Sequence, residues 1–345
     1  MKEIYAQLEN EQDPSAKMLL LLQLGVGYLN NDLARCEDVA QQLLALGHQY
    51  NMPVAIMHYN IVMGRINYRA GELDASLRFF KKGEALALEL QHEGGQAQCM
   101  ESYGFIHNRQ GSHDQALKMA LQAFALYQKT NAHKGAIGLA YNNIANCYNY
   151  LEQLDEAEKY YRLAIETIEQ SDRKQSVFLM HSNLGLILYK KGKFAEAIAN
   201  YQYGLKGYLA NNNALAQSQA YCHIAYSYIE LQEYAQALIH FQKGLKVIKN
   251  KHLYTEHSFI LAGLGKLYME WGGYGEAMEY LNKSLAIRLE KGYWAEACES
   301  YHDLHKLYNL MQDCDNAHQA LANGKKLSME KELKEWQAKF RALEN

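Results

Sequence analysis

Four asparagines stand within eight residues of the segment YNNIANCYNY: Asn142, Asn143, Asn146 and Asn149. Asparagine costs a helix roughly several tenths of a kcal/mol relative to alanine, so the cluster calls for a reason. Each amide offers a donor and an acceptor, the complement of the alternating C=O and N–H groups of an extended peptide backbone. The other reading is that some of the amides bond to neighbouring helices or face solvent, and Asn143 could face the next repeat. Cations recur at related places: Arg65, Arg69, Arg109, Lys190, Lys266 and Lys306. Along one channel they would favour an acidic peptide or a C-terminal carboxylate. Scattered over solvated helix faces they would not.

Other chemistry is weakly represented. Cys298, His302 and His305, spaced four and three apart, could share a helix face. One straight helix rarely supplies a whole tetrahedral metal site, however, and HExxH is absent. The glycine-rich stretches Gly263-Leu264-Gly265 and Gly272-Gly273-Tyr274-Gly275 lack the spacing and the GK[ST] ending that cradle phosphate. His107 and His113 flank a turn. Asp155, Glu156 and Glu158 open a helix, where negative charge complements the helix dipole. No nucleophile stands beside a base at a recognisable spacing. The expectation is a protein without catalytic residues, metal or cofactor.

Composition narrows the elements that must carry these side chains. Two prolines in 345 residues fit an all-helical chain. Twenty-seven tyrosines against nine phenylalanines suggest many rings that are buried while the hydroxyl stays at a rim. A formal charge of −3 argues against general nucleic-acid binding. The apolar run Met18–Leu24 is far short of the ~20 residues a membrane helix needs, so no membrane partner is expected. Six dispersed cysteines, Cys36, Cys99, Cys147, Cys222, Cys298 and Cys314, read as reduced thiols of a cytoplasmic protein.

A two-helix unit then recurs along the chain. Its first helix carries a small residue at Gly25, Gly64, Gly104, Ala145, Gly185, Ala225 and Gly265, at intervals of 39 to 41 residues, and His305 holds the eighth place. Second helices repeat the stripe Ala116/Ala120/Ala123, Ala157/Tyr161/Ala164, Ala197/Tyr201/Gly204 and Ala237/Phe241/Gly244. Turns fall at Ala70-Gly71, Gln110-Gly111, Lys191-Gly192 and Trp271-Gly272-Gly273. A hairpin of this kind buries one side of each helix and needs copies on both flanks.

Leu184-Gly185, Leu188, Gly192-Lys193-Phe194, Ala197, Tyr201 and Gly204 resemble the tetratricopeptide repeat (TPR) family. So do Leu264-Gly265, Tyr268, Gly272-Gly273-Tyr274 and Ala277. The family's terminal proline is missing, and the period is 40 rather than 34, which resembles the long-helix arrays of kinesin light chains and bacterial signalling proteins. The resemblance implies an all-α, right-handed α-solenoid of about eight repeats. Residues 1–17 would be a leading helix or cap, 18–325 the array, and 326–345 a capping or signalling helix. Met329, Leu333, Trp336, Phe340 and Leu343 form a short heptad seam there, which suggests a homodimer through that helix.

First helices line the inner surface of such an array. Counted from the small residue, the inward places are three and two before it and one, four and five after it. They give Arg65, Arg69, Asn108, Arg109, Asn142, Asn146, Asn149, Asn183, Tyr189, Lys190, Tyr226, Lys266 and Lys306 as candidate contacts to a peptide or protein segment. Ser182, His223, His302 and Asn309 share those places. In related scaffolds inward asparagines hold a peptide main chain, which the resemblance extends to the cluster at Asn142. An alternative is implied by Asp303–Tyr308, which resembles the last repeat of TPR sensor halves in bacterial diguanylate cyclases and sensor kinases. On that reading the chain is a sensory half whose output domain lies elsewhere.

Overall fold

The computed structural model describes residues 2–29, 32–171 and 174–343, and every α- or 3-10 element among them is helical. The chain divides into two units, Met1–Lys174 and Gln175–Asn345. The first contains α1 (Lys2–Asn10), α2 (Pro14–Tyr28), α3 (Leu33–Gln49), α4 (Pro53–Ala70), α5 (Leu73–Glu89), α6 (Glu93–Arg109), α7 (His113–Lys129), α8 (Lys134–Tyr150) and α9 (Leu154–Glu169). The second contains α10 (Val177–Lys190), α11 (Phe194–Ala210), α12 (Ala214–Glu230), α13 (Tyr234–Ile248), α14 (Tyr254–Trp271), α15 (Tyr274–Glu290), α16 (Trp294–Leu310), α17 (Cys314–Glu330) and α18 (Lys334–Ala342).

Consecutive helices pack as hairpins, α2 with α3 through α8 with α9, and α10 with α11 through α16 with α17. Within each unit, first helices also touch the first helices of the next hairpin, while second helices pack on the following first helix. Within each unit first helices therefore share one layer, and that layer is the inner face of its stack of helical hairpins.

The small residues hold the hairpins closed. A methyl group at Gly185 would stand 2.9 Å from the Tyr201 ring, and one at Gly265 would stand 2.5 Å from Leu281 Cγ. Gly64 is likewise filled by Phe80. Tyr201, Leu281 and Phe80 are among the most deeply buried side chains, so each glycine is the socket for a large residue of the second helix. From α4 and α5 onward, the turn between paired helices uses one left-handed residue seven places after the small one. Glycine fills it at Gly71, Gly111, Gly192 and Gly272, but Glu152, Gln232 and Gln312 adopt the same left-handed region, at φ between 57° and 60°.

The heptad seam does not form one helix. The chain turns after Glu330, with Glu332 at φ 54°, and starts again at Lys334. α18 lies against α16 and α17 as α16 lies against α14 and α15. Phe340 is wholly buried and fills the space over Gly324, with Leu333 and Trp336 beside it. Those seam residues are spent inside this unit. The outward Lys334, Glu335, Ala338, Lys339 and Arg341 are exposed and mostly charged, and of the five seam residues Met329 and Leu343 stay exposed.

Candidate functional site

In the first unit the inner layer is made by α2, α4, α6 and α8. The only charged residues of α4 are Arg65 and Arg69, one helical turn apart. Arg65 is half-buried and makes no hydrogen bond or ion pair with any described residue. Arg69 is exposed and interacts with another group. On α6, Arg109 is held by two contacts to α4: its Nη1 donates to the Tyr68 carbonyl oxygen at 2.8 Å, and its guanidinium lies 5.4 Å from the Tyr68 ring centroid. That carbonyl belongs to the last turn of α4, where a cation meets the negative end of the helix. Among the described residues no carboxylate pairs with Arg109.

These side chains border a cleft of about 360 Å³ lined by Tyr68, Arg69, Asn108, Arg109 and Tyr150. The structure thus brings three of the expected residues together. It adds two tyrosines that sequence reasoning passed over. Tyr68 and Tyr150 occupy the same repeat places as Asn108 and Arg109, four and five after the small residue, so the period alone could have found them.

The asparagines are more heavily engaged than their types suggest. Asn108 donates to Cys147 Sγ at 3.5 Å, and its Oδ1 lies 3.2 Å from His113 Nδ1. Asn142 is buried and interacts with other groups. Asn143 donates to Glu101 Oε1 on α6 at 3.0 Å, across to the neighbouring hairpin. Asn146 accepts the hydroxyl proton of Tyr161, from the second helix of its own hairpin. Asn149 and Asn183 are half-buried and interact elsewhere. Asn108, Asn143 and Asn146, amides that could read a peptide main chain, thus tie helices together.

The inner layer of the second unit is close to neutral at its core. Tyr189 donates to Glu230 Oε1 of α12 at 3.1 Å, and burial with the nearby Glu230 charge pushes its hydroxyl up to about 12. Tyr226 packs its ring edge-on to Phe241 and against Phe259, and burial raises its pKa far above the ordinary tyrosine value. Lys266 is clasped by α16, with Glu299 Oε1 at 2.8 Å and Asp303 Oδ2 at 3.2 Å. Burial opposes the Lys266 charge, but the two carboxylates outweigh it and hold its pKa above the usual lysine value. The buried Arg288 of α15 reaches Glu299 Oε2 at 3.3 Å and donates to Ser300 Oγ at 2.8 Å. Lys266 is therefore half of a closed charge cluster rather than an unpaired cation. Lys190 and Lys306 are exposed at the helix surface, and Lys190 has its own interaction.

The residues with metal-ligand spacing point to separate partners. Cys298 Sγ contacts the Gly324 carbonyl oxygen at 3.8 Å, His305 Nδ1 lies 2.9 Å from the Ala317 carbonyl oxygen, and His302 faces Trp336. Among the described residues no group of three or more histidine, cysteine or acidic side chains is placed to hold a metal ion. No helix among them is long and apolar enough to cross a membrane.

A family model described as tetratricopeptide repeat matches residues 95–170, 136–210 and 216–290. No curated protein matches the chain. Among solved structures, the apo form of the quorum sensor NprR from B. thuringiensis is 19% identical with a TM-score of 0.67, over 94% of this chain and 91% of that one. A Rap protein complexed with competence and sporulation factor is 15% identical with a TM-score of 0.62, over 97% and 92% of the two chains. Aspartyl phosphate phosphatase F from Bacillus subtilis is 15% identical with a TM-score of 0.62, over 94% and 87%. At such identities the likeness is one of fold.

Proposed function

The chain belongs to the tetratricopeptide repeat family, and from that premise we propose that it is a non-catalytic binding protein. It holds an acidic peptide or protein segment on the inner layer of α4, α6 and α8. The observation that carries this reading is the pair Arg65 and Arg109, inward cations with no carboxylate partner among the described residues, on a chain whose formal charge is −3. Arg65, half-buried without a counter-charge, gives up hydration that an anionic ligand restores, while the exposed Arg109 is held in place by the Tyr68 carbonyl oxygen. Lys266 supplies the internal contrast, because its inward charge is already answered by Glu299 and Asp303. The likeness to a quorum sensor and to a Rap protein in complex with a sporulation factor supports a peptide as the occupant.

The test is binding of a pooled library of acidic peptides, and of its amide counterpart with glutamine and asparagine in place of the acids, to the full chain. The acidic pool is expected to be retained and the amide pool not. Arg65→Ala/Arg109→Ala should weaken binding by on the order of 100-fold, about two charge-assisted hydrogen bonds at ~1.5 kcal/mol each. Equal retention of the two pools, or an indifferent double variant, would remove the acidic-segment reading.

A further inference from the structure

The cleft between the C-terminal ends of α4, α6 and α8 has more structure than a cationic strip requires. Tyr150, the last residue of α8, is 55% exposed, yet its ring lies flat on His113, with centroids 4.9 Å apart and an interplanar angle of 5°. His113 is itself fixed through Nδ1 to Asn108 Oδ1, and Asn108 is fixed through its amide nitrogen to the buried Cys147. This relay holds one face of the Tyr150 ring against imidazole, while the residue keeps more than half of its surface exposed. Across the cleft, Arg109 has its position set by the Tyr68 carbonyl oxygen and ring, which leaves other N–H groups of its fork to donate. A rigid aromatic platform and an oriented guanidinium therefore line one cavity of about 360 Å³.

We infer that this cleft reads a two-part feature of the bound segment: an aromatic side chain laid on Tyr150, next to a carboxylate taken by Arg109. The inference rests on the peptide-binding reading above and gives it a specificity. A flat ring gains from stacking on a platform that is already immobile, because little side-chain freedom is lost on binding. A carboxylate matches the planar fork of arginine in two parallel hydrogen bonds. Asn108, with both ends of its amide occupied, acts here as a positioning residue that keeps His113 beneath the platform. The carboxylate can belong to an acidic side chain or to the free end of the segment, and the probes separate these sources.

The experiment uses the full chain and three fluorescein-labelled short peptides in anisotropy titrations. The first is blocked at both ends, with adjacent tryptophan and aspartate at its centre. The second ends in tryptophan with a free carboxylate and carries no acidic side chain. The third is blocked and has leucine and asparagine in place of tryptophan and aspartate. At least one of the first two is expected to bind ten-fold or more tighter than the third, and which one identifies the carboxylate source. Arg109→Gln should abolish the preference for the acid, and Tyr150→Ala the preference for tryptophan over leucine in otherwise matched peptides. Asn108→Ala should lower the tryptophan preference without touching the acid preference, an outcome that a merely destabilising change would not produce. Thermal melts of each variant confirm folding. If the acidic pool binds and Arg65→Ala weakens it while the Arg109 and Tyr150 variants bind all three peptides like wild type, the cleft assignment fails and the wider function stands. If neither the pool nor any of the three peptides binds, both fail.

Discussion

His58 keeps a nearly inaccessible imidazole on α4, its ring edge to face with His92 at 5.9 Å. Burial, and then the charges of His92 and Arg65, lower its pKa to about 4. The unfolded chain binds that proton near pH 6.5, and the folded chain only near 4. The folded-state value is depressed, so the stabilisation is present above pH 6.5 and is lost as the pH falls through 4, a swing of up to about 3 kcal/mol. Urea denaturation of wild type at pH 7 and pH 4.5 should show the loss, and His58→Phe should show less of it. Identical acid sensitivity of the two proteins would mean that His58 is not a source. The same scale shows why site residues were only half legible. Side-chain type marked Arg65, Arg109 and Lys266 alike, but Lys266 is answered by Glu299 and Asp303, 33 and 37 residues further along. A cation's fate depends on what the next first helix presents to it, and that becomes readable only when adjacent repeats are compared place by place.

Helices and turns obey the period more strictly than they obey residue preference. Gly192 sits at φ 73° with nothing within 4 Å of where a Cβ would stand, so Gly192→Ala meets only backbone strain. The expected cost is about 1 kcal/mol, seen as a lower urea midpoint with unchanged slope. Gly185→Leu differs in kind, because the new side chain collides with the Tyr201 ring, and ~1–3 kcal/mol of overpacking is expected. If the alanine at Gly192 proves the costlier change, the roles assigned to turn and socket are reversed. Glu152, Gln232 and Gln312 take the left-handed turn without being glycine, which shows the hairpin geometry overriding local preference. The same rule explains the last helix. Leu333, Trp336 and Phe340 read as a seam by spacing, yet the break at Glu332 comes 40 residues after the left-handed Gly292. The repeat thus continued to the last described helix, and two helical turns of heptad spacing were too short to outweigh it. The small-residue places were legible because at several of them, Gly64, Gly185 and Gly265, a larger side chain would collide with the partner helix, whereas Gly25 has only an ordinary contact to Val39.

At the scale of the whole molecule the charge is slightly negative, so the average field repels an acidic ligand. Any attraction has to be local, from the half-buried Arg65 of α4 and the exposed but oriented Arg109 of α6. Raising salt toward 1 M shortens the Debye length to about 3 Å, which removes long-range repulsion and weakens exposed ion pairs together. A ligand held by diffuse surface charge would lose affinity steeply across that range. One held in hydrogen-bonding contact by Arg65 and Arg109 should lose less than about ten-fold, because the contact at the half-buried Arg65 is screened less than an exposed one. Replacing Arg65 and Arg109 by alanine makes the net charge more unfavourable and leaves only the exposed Arg69 as a cation of the cleft lining, so residual binding of an acidic peptide should rise with salt rather than fall. Titrations of the acidic peptide pool against both proteins at low and high salt give the two slopes. Opposite signs place the attraction at the two arginines, whereas parallel slopes assign it to charge spread over the rest of the surface.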